Sequence, residues 1–445
     1  MPIKITTGAF GLARIIESSG SIGARVGVVD SNKTFVGVNP ALLRLLQSSS
    51  VLLLQGPVGP FFDRLASWLQ GHDIRVARVA FQAGDLRDSR VLKPVLFQGD
   101  SQAWPEFFDQ LVSRLNIDCV VLFGQVRSYH RAALARAKAK GLSVVVLEEG
   151  YIRPGYLTME LDGVNGYSTT LQQYVWHASA PGSAIRLDKP ANTDGQFGLM
   201  ARSAMAHYWA MNAGKKHFPH YQHHKSTCIS DYCRYWVKSW LKKQLHRWQD
   251  ERRVSWLADR TTYLVPLQHD GDSQITHHSR FEENTKFIFE VMRSFSDHAP
   301  KGTLLVFKQH PFSRGGPGHS GFIRSLALEL GIGHRVLHMV EGHTPTLVKN
   351  AAAVIVINST VGLQALLHRR PLIVLGEAIY SGPGLTFQGE LKDFWKDHHE
   401  PEESAVKHLV NQIIHLTQVP CNVYGPANEP LLWHVDGVPN AEGLA

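Results

Sequence analysis

Two long stretches of the chain share one rhythm. A short apolar run is stopped by a turn signal, and a longer segment with apolar positions at helical spacing follows. The first stretch opens on Val51-Leu52-Leu53-Leu54-Gln55, stopped by Gly56-Pro57. Its pattern predicts strands over 51–55, 74–81, 119–124 and 143–150, with helices over 61–70, 104–115 and 129–140 between them. The rhythm resumes after Arg260, with strands expected at 261–268, 303–311, 335–340, 353–358 and 371–376 and helices at 280–295, 320–330, 344–350 and from Val361 onward. The strands are apolar throughout rather than alternating, as in parallel sheets covered on both faces. Strands alternating with helices predict a doubly wound sheet in each stretch. The expected fold is therefore α/β, with two Rossmann-like lobes spanning 51–194 and 259–395. Residues 1–50 read as an appendage with a short amphipathic piece at 40–47, and 396–445 as a C-terminal helix and tail.

Between the lobes, residues 195–258 break the rhythm. Residues 201–253 hold eleven Lys or Arg against three Asp or Glu, with many Trp, Tyr and His. The segment YWVKSWLKKQLHRW (235–248) places aromatic and apolar residues at helical spacing beside cations. Two readings stand equally: a membrane-interface helix, or a helix that packs its Trp stripe on the lobes and solvates its lysines. No RNA-binding motif accompanies the charge.

Composition narrows the classes. With 445 residues and 44% hydrophobic content, the chain suits two cores, and 19% charged residues describe a globular protein. No run approaches the ~18 apolar residues of a membrane span, and the N-terminus lacks a compact apolar signal region; the expectation is a cytosolic protein. Cys119, Cys228, Cys233 and Cys421 are too sparse for a disulfide framework and lack metal-site spacing, so they read as free thiols. The net charge of +8 and pI of about 9.2 suit nucleic acid, anionic lipid or phosphorylated substrates.

The chemistry clusters where strands end, which is where open α/β sheets bind ligands. Glu148-Glu149-Gly150 ends one strand with two carboxylates, candidates for a general base or simply a solvated turn. Gln268-His269-Asp270-Gly271-Asp272 holds an Asp-x-Asp, too common by chance to imply a metal. In Lys308-Gln309-His310-Pro311, two cationic side chains at a strand end suit a phosphate leaving group, and the proline stops the strand. Asn358-Ser359-Thr360-Val361-Gly362 opens a helix whose first amides favour an anion, although capping alone accounts for the serine. After the last strand, Tyr380 in a Gly-rich loop either stacks on a base or packs. Together these segments predict a cleft enzyme that uses a nucleotide-activated sugar.

Taken in order, VLLLQGPVGPFF (51–62), FGQVRSYH (123–130), EEGYIRPGYLTME (148–160), PLQHDGDSQI (266–275), KQHP (308–311), NSTVGLQALL (358–367) and GLT (384–386) resemble the KpsS/LipB capsule polysaccharide family. The resemblance implies a GT-B-like, inverting β-Kdo transferase that moves Kdo from CMP-Kdo to lysophosphatidylglycerol, beginning the lipid-linked linker for capsule polymer. It implies no cofactor or metal, no nucleic acid, and a cytoplasmic protein peripheral on the inner membrane, with other capsule-assembly enzymes as candidate partners. The first lobe would take the acceptor and the second the donor. By position, His310 and Pro311 would be a His-Pro motif beside Lys308, and Asn358, Ser359, Thr360 and Gly362 the phosphate loop. Glu149 would be the base with Glu148 supporting it, Gln268 and Asp272 would touch the donor, and Arg153 would pair with the Kdo carboxylate. Two alternatives stay open: another cytidine-nucleotide transferase of the CDP-glycerol type, and a non-catalytic export adaptor.

Overall fold

The structure, a computed structural model, describes residues 39–174, 190–223 and 229–433. The readings for 1–38 and 434–445 and for Cys228 lie outside these residues, and the Cys233 side chain is not described. Among the described residues there are twelve strands: β1 Ser50–Leu53, β2 Arg75–Ala80, β3 Val95–Leu96, β4 Cys119–Phe123, β5 Ser143–Glu149, β6 Tyr156–Leu161, β7 Thr262–Pro266, β8 Leu304–Lys308, β9 Val336–Met339, β10 Ala353–Val356, β11 Leu372–Val374 and β12 Gln418–Pro420.

They form two sheets. The first runs β12-β6-β5-β4-β1-β2-β3 and the second β11-β10-β7-β8-β9. Within each, the five parallel strands follow the same doubly wound order, with the chain reversing direction across the sheet between β1 and β4 and again between β7 and β10. The apolar runs follow from burial on two sides. Alternate residues of a strand face opposite layers: Val51 and Leu53 enter one cluster, Leu52 and Leu54 the other, and all four are fully buried. Each such side chain contributes roughly 1.5–3 kcal/mol by leaving water. The second sheet is likewise covered on both faces.

Three boundaries differ from the sequence reading. The first lobe begins before residue 51: Asn39 caps helix Pro40–Leu46, which buries Ala41, Leu42 and Leu45 in the first lobe's core. Strand β6 has no counterpart in the elements expected from sequence. Its Thr158 and Glu160 interrupt the apolar pattern, yet both are buried and hydrogen-bonded. The C-terminal segment is more than a tail, because β12 pairs antiparallel with β6 and Val423 and Trp433 join the first lobe's core. Several expected strands also ended too late. Gln55, Gly150, Gln268, His310 and Asn358 all lie just past the hydrogen-bonded strands, in the loops at their carboxyl ends.

The lobes share a packed seam. Tyr151 and Leu171 from the first lobe are buried in the second lobe's cluster with Leu264, Val354 and Val356. Tyr167 meets the His278 ring edge-on at 4.5 Å. The basic segment is helical, with helices Gln196–Ala213 and Ile229–Leu257.

Candidate active site

The first lobe contributes the end of β5. Val146 faces one apolar layer and Val145 and Leu147 the other, so Glu148 and Glu149 continue these two directions just beyond the core. Gly124 turns the chain after β4 with a φ of 75°, and a Cβ there would stand 3.8 Å from Glu148 Oε2. Glu148 is half-buried. Burial, followed by the charge of Glu149, raises its carboxyl to about 7. Glu149 is held differently: its Oε1 accepts the Tyr424 hydroxyl at 3.0 Å and its Oε2 the Arg153 guanidinium at 2.9 Å. Arg153 Nε also donates to Gly150 O at 2.8 Å. The loop is anchored by Tyr151, whose hydroxyl donates to the buried Glu160 at 2.6 Å.

The second lobe contributes the ends of β7, β8 and β10. Where the strand order reverses, Gln268 Nε2 donates to Asn358 Oδ1 at 2.9 Å and to Asp272 Oδ2 at 3.3 Å. Asn358 Nδ2 donates to Gln274 O at 2.9 Å and His278 O at 3.1 Å. Asp272 caps helix Ser273–His277 by accepting from Gln274 N at 2.9 Å. Gln268, Asp272 and Asn358 thus form one bonded unit beyond the carboxyl ends of β7 and β10. The other aspartate of the Asp-x-Asp, Asp270, accepts Asn284 Nδ2 at 2.7 Å and pairs with His319 at 2.8 Å. Among the described residues, no group of three or more His, Cys, Asp or Glu is arranged to hold a metal ion.

After β10, Thr360 is the cap position of helix Val361–Leu367, and Ser359 Oγ accepts Val361 N at 3.3 Å. Gly362 has a packing explanation: a Cβ there would meet the Tyr380 hydroxyl oxygen at 2.4 Å. Tyr380 is buried and bonds the Ser359 carbonyl. It packs beneath the loop and is not placed to stack on a base.

After β8, His310 caps the short turn Pro311–Ser313, its Nδ1 accepting from Phe312 N at 3.1 Å. Burial lowers its pKa to about 4, helped by the nearby positive groups His269, Lys308, Arg153 and Arg314. The ring is therefore neutral, and with Nδ1 accepting, its proton sits on Nε2. His310 offers one N–H donor without carrying charge. Lys308 departs from the expected phosphate contact. It is buried, and its ammonium donates to Gln309 O at 2.9 Å and Val340 O at 3.1 Å, joining the ends of β8 and β9. Burial lowers its pKa to about 8.

The expected residues thus gather at the carboxyl ends of strands in both lobes, and Arg153 links the two groups. It pairs with Glu149 and is close enough for its charge to act on His310. Sequence reading missed Tyr424, which lies 275 residues from the glutamate it holds. It also missed His269, whose ring stands 6.1 Å from that of His310 and which meets Ser313 Oγ at 3.0 Å. His269 had a signal, its place at the end of β7; Tyr424 had none.

Comparison with known proteins places this arrangement. Residues 118–424 match the family model described as capsule polysaccharide biosynthesis protein. The capsule polysaccharide export protein KpsS of Escherichia coli is 36% identical over 386 residues, covering 85% of this chain and 98% of that protein. The capsule polysaccharide modification protein LipB of Neisseria meningitidis serogroup B is 33% identical, covering 86% of this chain and 94% of LipB. Among solved structures, Thermosulfurimonas dismutans KpsC, a beta Kdo 2,7 transferase, is 16% identical with a TM-score of 0.39, over 82% of this chain and 89% of that one. With the family match running from β4 through Tyr424, and so taking in both strand-end clusters, the chain belongs to the capsule polysaccharide biosynthesis family.

Proposed function

We propose that this protein transfers Kdo from CMP-Kdo to lysophosphatidylglycerol at the inner face of the inner membrane, beginning the lipid-linked linker on which capsular polysaccharide is built and exported. The observation that supports the reading most directly is that Arg153, paired with Glu149, is close enough for its charge to act on His310, which brings two carboxylates near a strand end whose groups suit an anion. Family membership and the relatives' capsule names support the biological setting.

In this reading the second lobe receives the nucleotide. His310 Nε2–H and the backbone amides and hydroxyls after Asn358 take the phosphate, and Gln268, Asp272 and Asn358 keep that loop in register. Lys308 acts from behind, as the anchor of the β8 end. As the bond between the anomeric carbon and the phosphate oxygen breaks, its electron pair leaves with CMP, and fixed donors stabilise the growing charge. Arg153 turns part of its guanidinium toward the sugar carboxylate.

The carboxylates divide the work by environment, as paired acids do when their surroundings separate them. Glu148, with its proton affinity near neutrality, accepts the acceptor hydroxyl proton. Glu149, fixed by Arg153 and Tyr424, stands as the charged carboxylate beside the sugar. This reverses the roles that the resemblance implied. A base alone gives inversion. The fixed position of Glu149 also favours a second route, in which it bonds to the anomeric carbon and the deprotonated acceptor then displaces it, with retention.

The test is incubation with CMP-Kdo and lysophosphatidylglycerol, reading CMP release and product mass. A lipid heavier by one Kdo supports the reading. A glycerol phosphate adduct from CDP-glycerol would favour the related cytidine-nucleotide chemistry. No stabilisation by millimolar CMP in thermal shift would favour an export adaptor. Intact mass after rapid quenching separates the two stereochemical routes, because only retention leaves a sugar on Glu149.

A further inference from the structure

Helix Ile229–Leu257 is built inside out. At about 3.6 residues per turn, Ser239, Asp250 and Leu257 share one face, and that face is buried against the rest of the protein. The opposite face carries Val237, Trp240, Leu241, Leu245 and Trp248, all exposed; Trp240 is 60%, Leu245 75% and Trp248 71% accessible. A helix that packed its Trp stripe on the lobes would show the reverse. Of the two sequence readings of this segment, the packing one is therefore excluded for these residues.

The exposed stripe is set among cations. The helix has seven Lys or Arg and three Asp or Glu. Arg234, Lys238, Lys243, Arg247 and Arg252 are exposed, and the Arg252 guanidinium lies over the Trp248 ring at 5.1 Å. Helix Gln196–Ala213, in contact with it, also exposes Phe197, Met205 and Trp209. Contiguous apolar surface marks an interaction site. Tryptophan and leucine ringed by lysine and arginine match a surface with an apolar interior and an anionic rim, the chemistry of an acidic lipid bilayer. Among the described residues no helix is long and apolar enough to cross a membrane, so the match is to lying on the surface.

The buried side of the same helix is fastened to the candidate active site. Tyr235 donates its hydroxyl to Phe312 O, and Lys242 Nζ donates to Gly316 O at 2.7 Å. A Cβ on Gly315 would meet Tyr235 O at 2.4 Å, so the loop after His310 lies flush on the helix. Asp250 accepts Val340 N at 3.0 Å and Glu341 N at 2.8 Å, where β9 ends. Glu341 in turn pairs with Arg314 of the His310 loop at 2.6 Å.

We propose that the exposed face of helix Ile229–Leu257 seats on an anionic lipid bilayer, and that the seam on its other side transmits this seating to the loop that carries His310. The seating deepens the membrane-acceptor reading above; neither it nor the coupling needs a nucleotide or a transfer reaction to be measured.

The test uses the full chain, without nucleotide or acceptor. Sedimentation with phosphatidylcholine vesicles, with and without phosphatidylglycerol, reads seating. Binding is expected only with phosphatidylglycerol, weakening as salt rises. Replacing Lys238 or Arg252 by glutamine should weaken it by about fivefold per cation. The variant W240S/L245Q/W248S should lose vesicle binding while keeping its melting temperature, because these side chains are mostly exposed. Equal binding to both vesicle types, or full binding by the triple variant, would overturn the seating. So would vesicle-free self-association that the triple variant abolishes, since the occupant would then be a second copy. Hydrogen exchange reads the coupling: amides of 312–316 should slow when phosphatidylglycerol vesicles are added, and Lys242→Ala should reduce that slowing. Unchanged exchange in the wild type would overturn the coupling. Failure of the transfer assay alone would touch only the transferase reading.

Discussion

The two lobes share one strand order but present opposite chemistries at the ends of their strands. The first ends β5 in two carboxylates, one of them pushed by burial to a pKa of about 7. The second ends β8 and β10 in a neutral histidine, hydroxyls, amides and an interlocked Gln268–Asn358 pair. In the proposed reaction the first would accept a proton and the second would receive an anion. The fold accounts for neither difference. It supplies two equivalent sets of loops at the carboxyl ends of parallel strands, and a few side chains then set the electrostatics of each. Arg153, paired to Glu149 and felt by His310, is where the two environments meet.

The largest test of this contrast is the carboxylate pair. Glu148→Gln should lower turnover about 10²–10⁴-fold, the range of general acid–base catalysis, while CMP affinity by calorimetry stays nearly unchanged. The wild-type rate should rise with pH through about 7, as Glu148 deprotonates, and the variant should lack that limb. A retained limb would move the base elsewhere. Next, His310→Ala should weaken CMP binding by about 10–100-fold, the worth of a hydrogen bond to a charged group, and should lower turnover mainly through that loss. If both substitutions affect the same parameter, the division between lobes fails.

Smaller effects sharpen the picture. Asn358→Ala leaves Gln268 without its partner and should destabilise the protein by about 1–3 kcal/mol in urea unfolding. Tyr424→Phe removes one hydrogen bond to Glu149 and should cost about 1 kcal/mol, read as a modest fall in turnover with CMP affinity intact. A further test is a pH effect on stability. Burial raises the carboxyls of Glu148 and Glu160 to about 7, so the native state holds those protons more tightly than the unfolded chain does. Stability is then greatest below the unfolded carboxyl pKa and declines as pH rises toward and past 7. Glu160→Gln should flatten that decline in a series of melting curves.

Much of this was legible in sequence because the relevant signals are local. Continuous apolar runs marked strands buried on two sides; glycine or proline after them marked the loops that carry Glu149 and His310, and helix-capping residues marked the one that carries Ser359. What escaped depends on contacts between distant segments. Thr158 and Glu160 look unsuited to a buried strand until Gln418, Tyr151 and Ser168 are seen to satisfy them. Lys308 reads as a phosphate ligand until its carbonyl partners appear, and Gly362 reads as a phosphate-loop glycine until Tyr380 occupies the space. For helix Ile229–Leu257, periodicity established the stripe, but only its exposure shows which side faces outward.

The most direct test of the central claim is a single assay: purified protein with CMP-Kdo and lysophosphatidylglycerol in vesicles, followed by mass spectrometry of the lipid. The account predicts a lipid carrying one added Kdo and stoichiometric free CMP, both lost in Glu148→Gln. Unmodified lipid with no CMP released, from protein that is folded and bound to the vesicles, would contradict it.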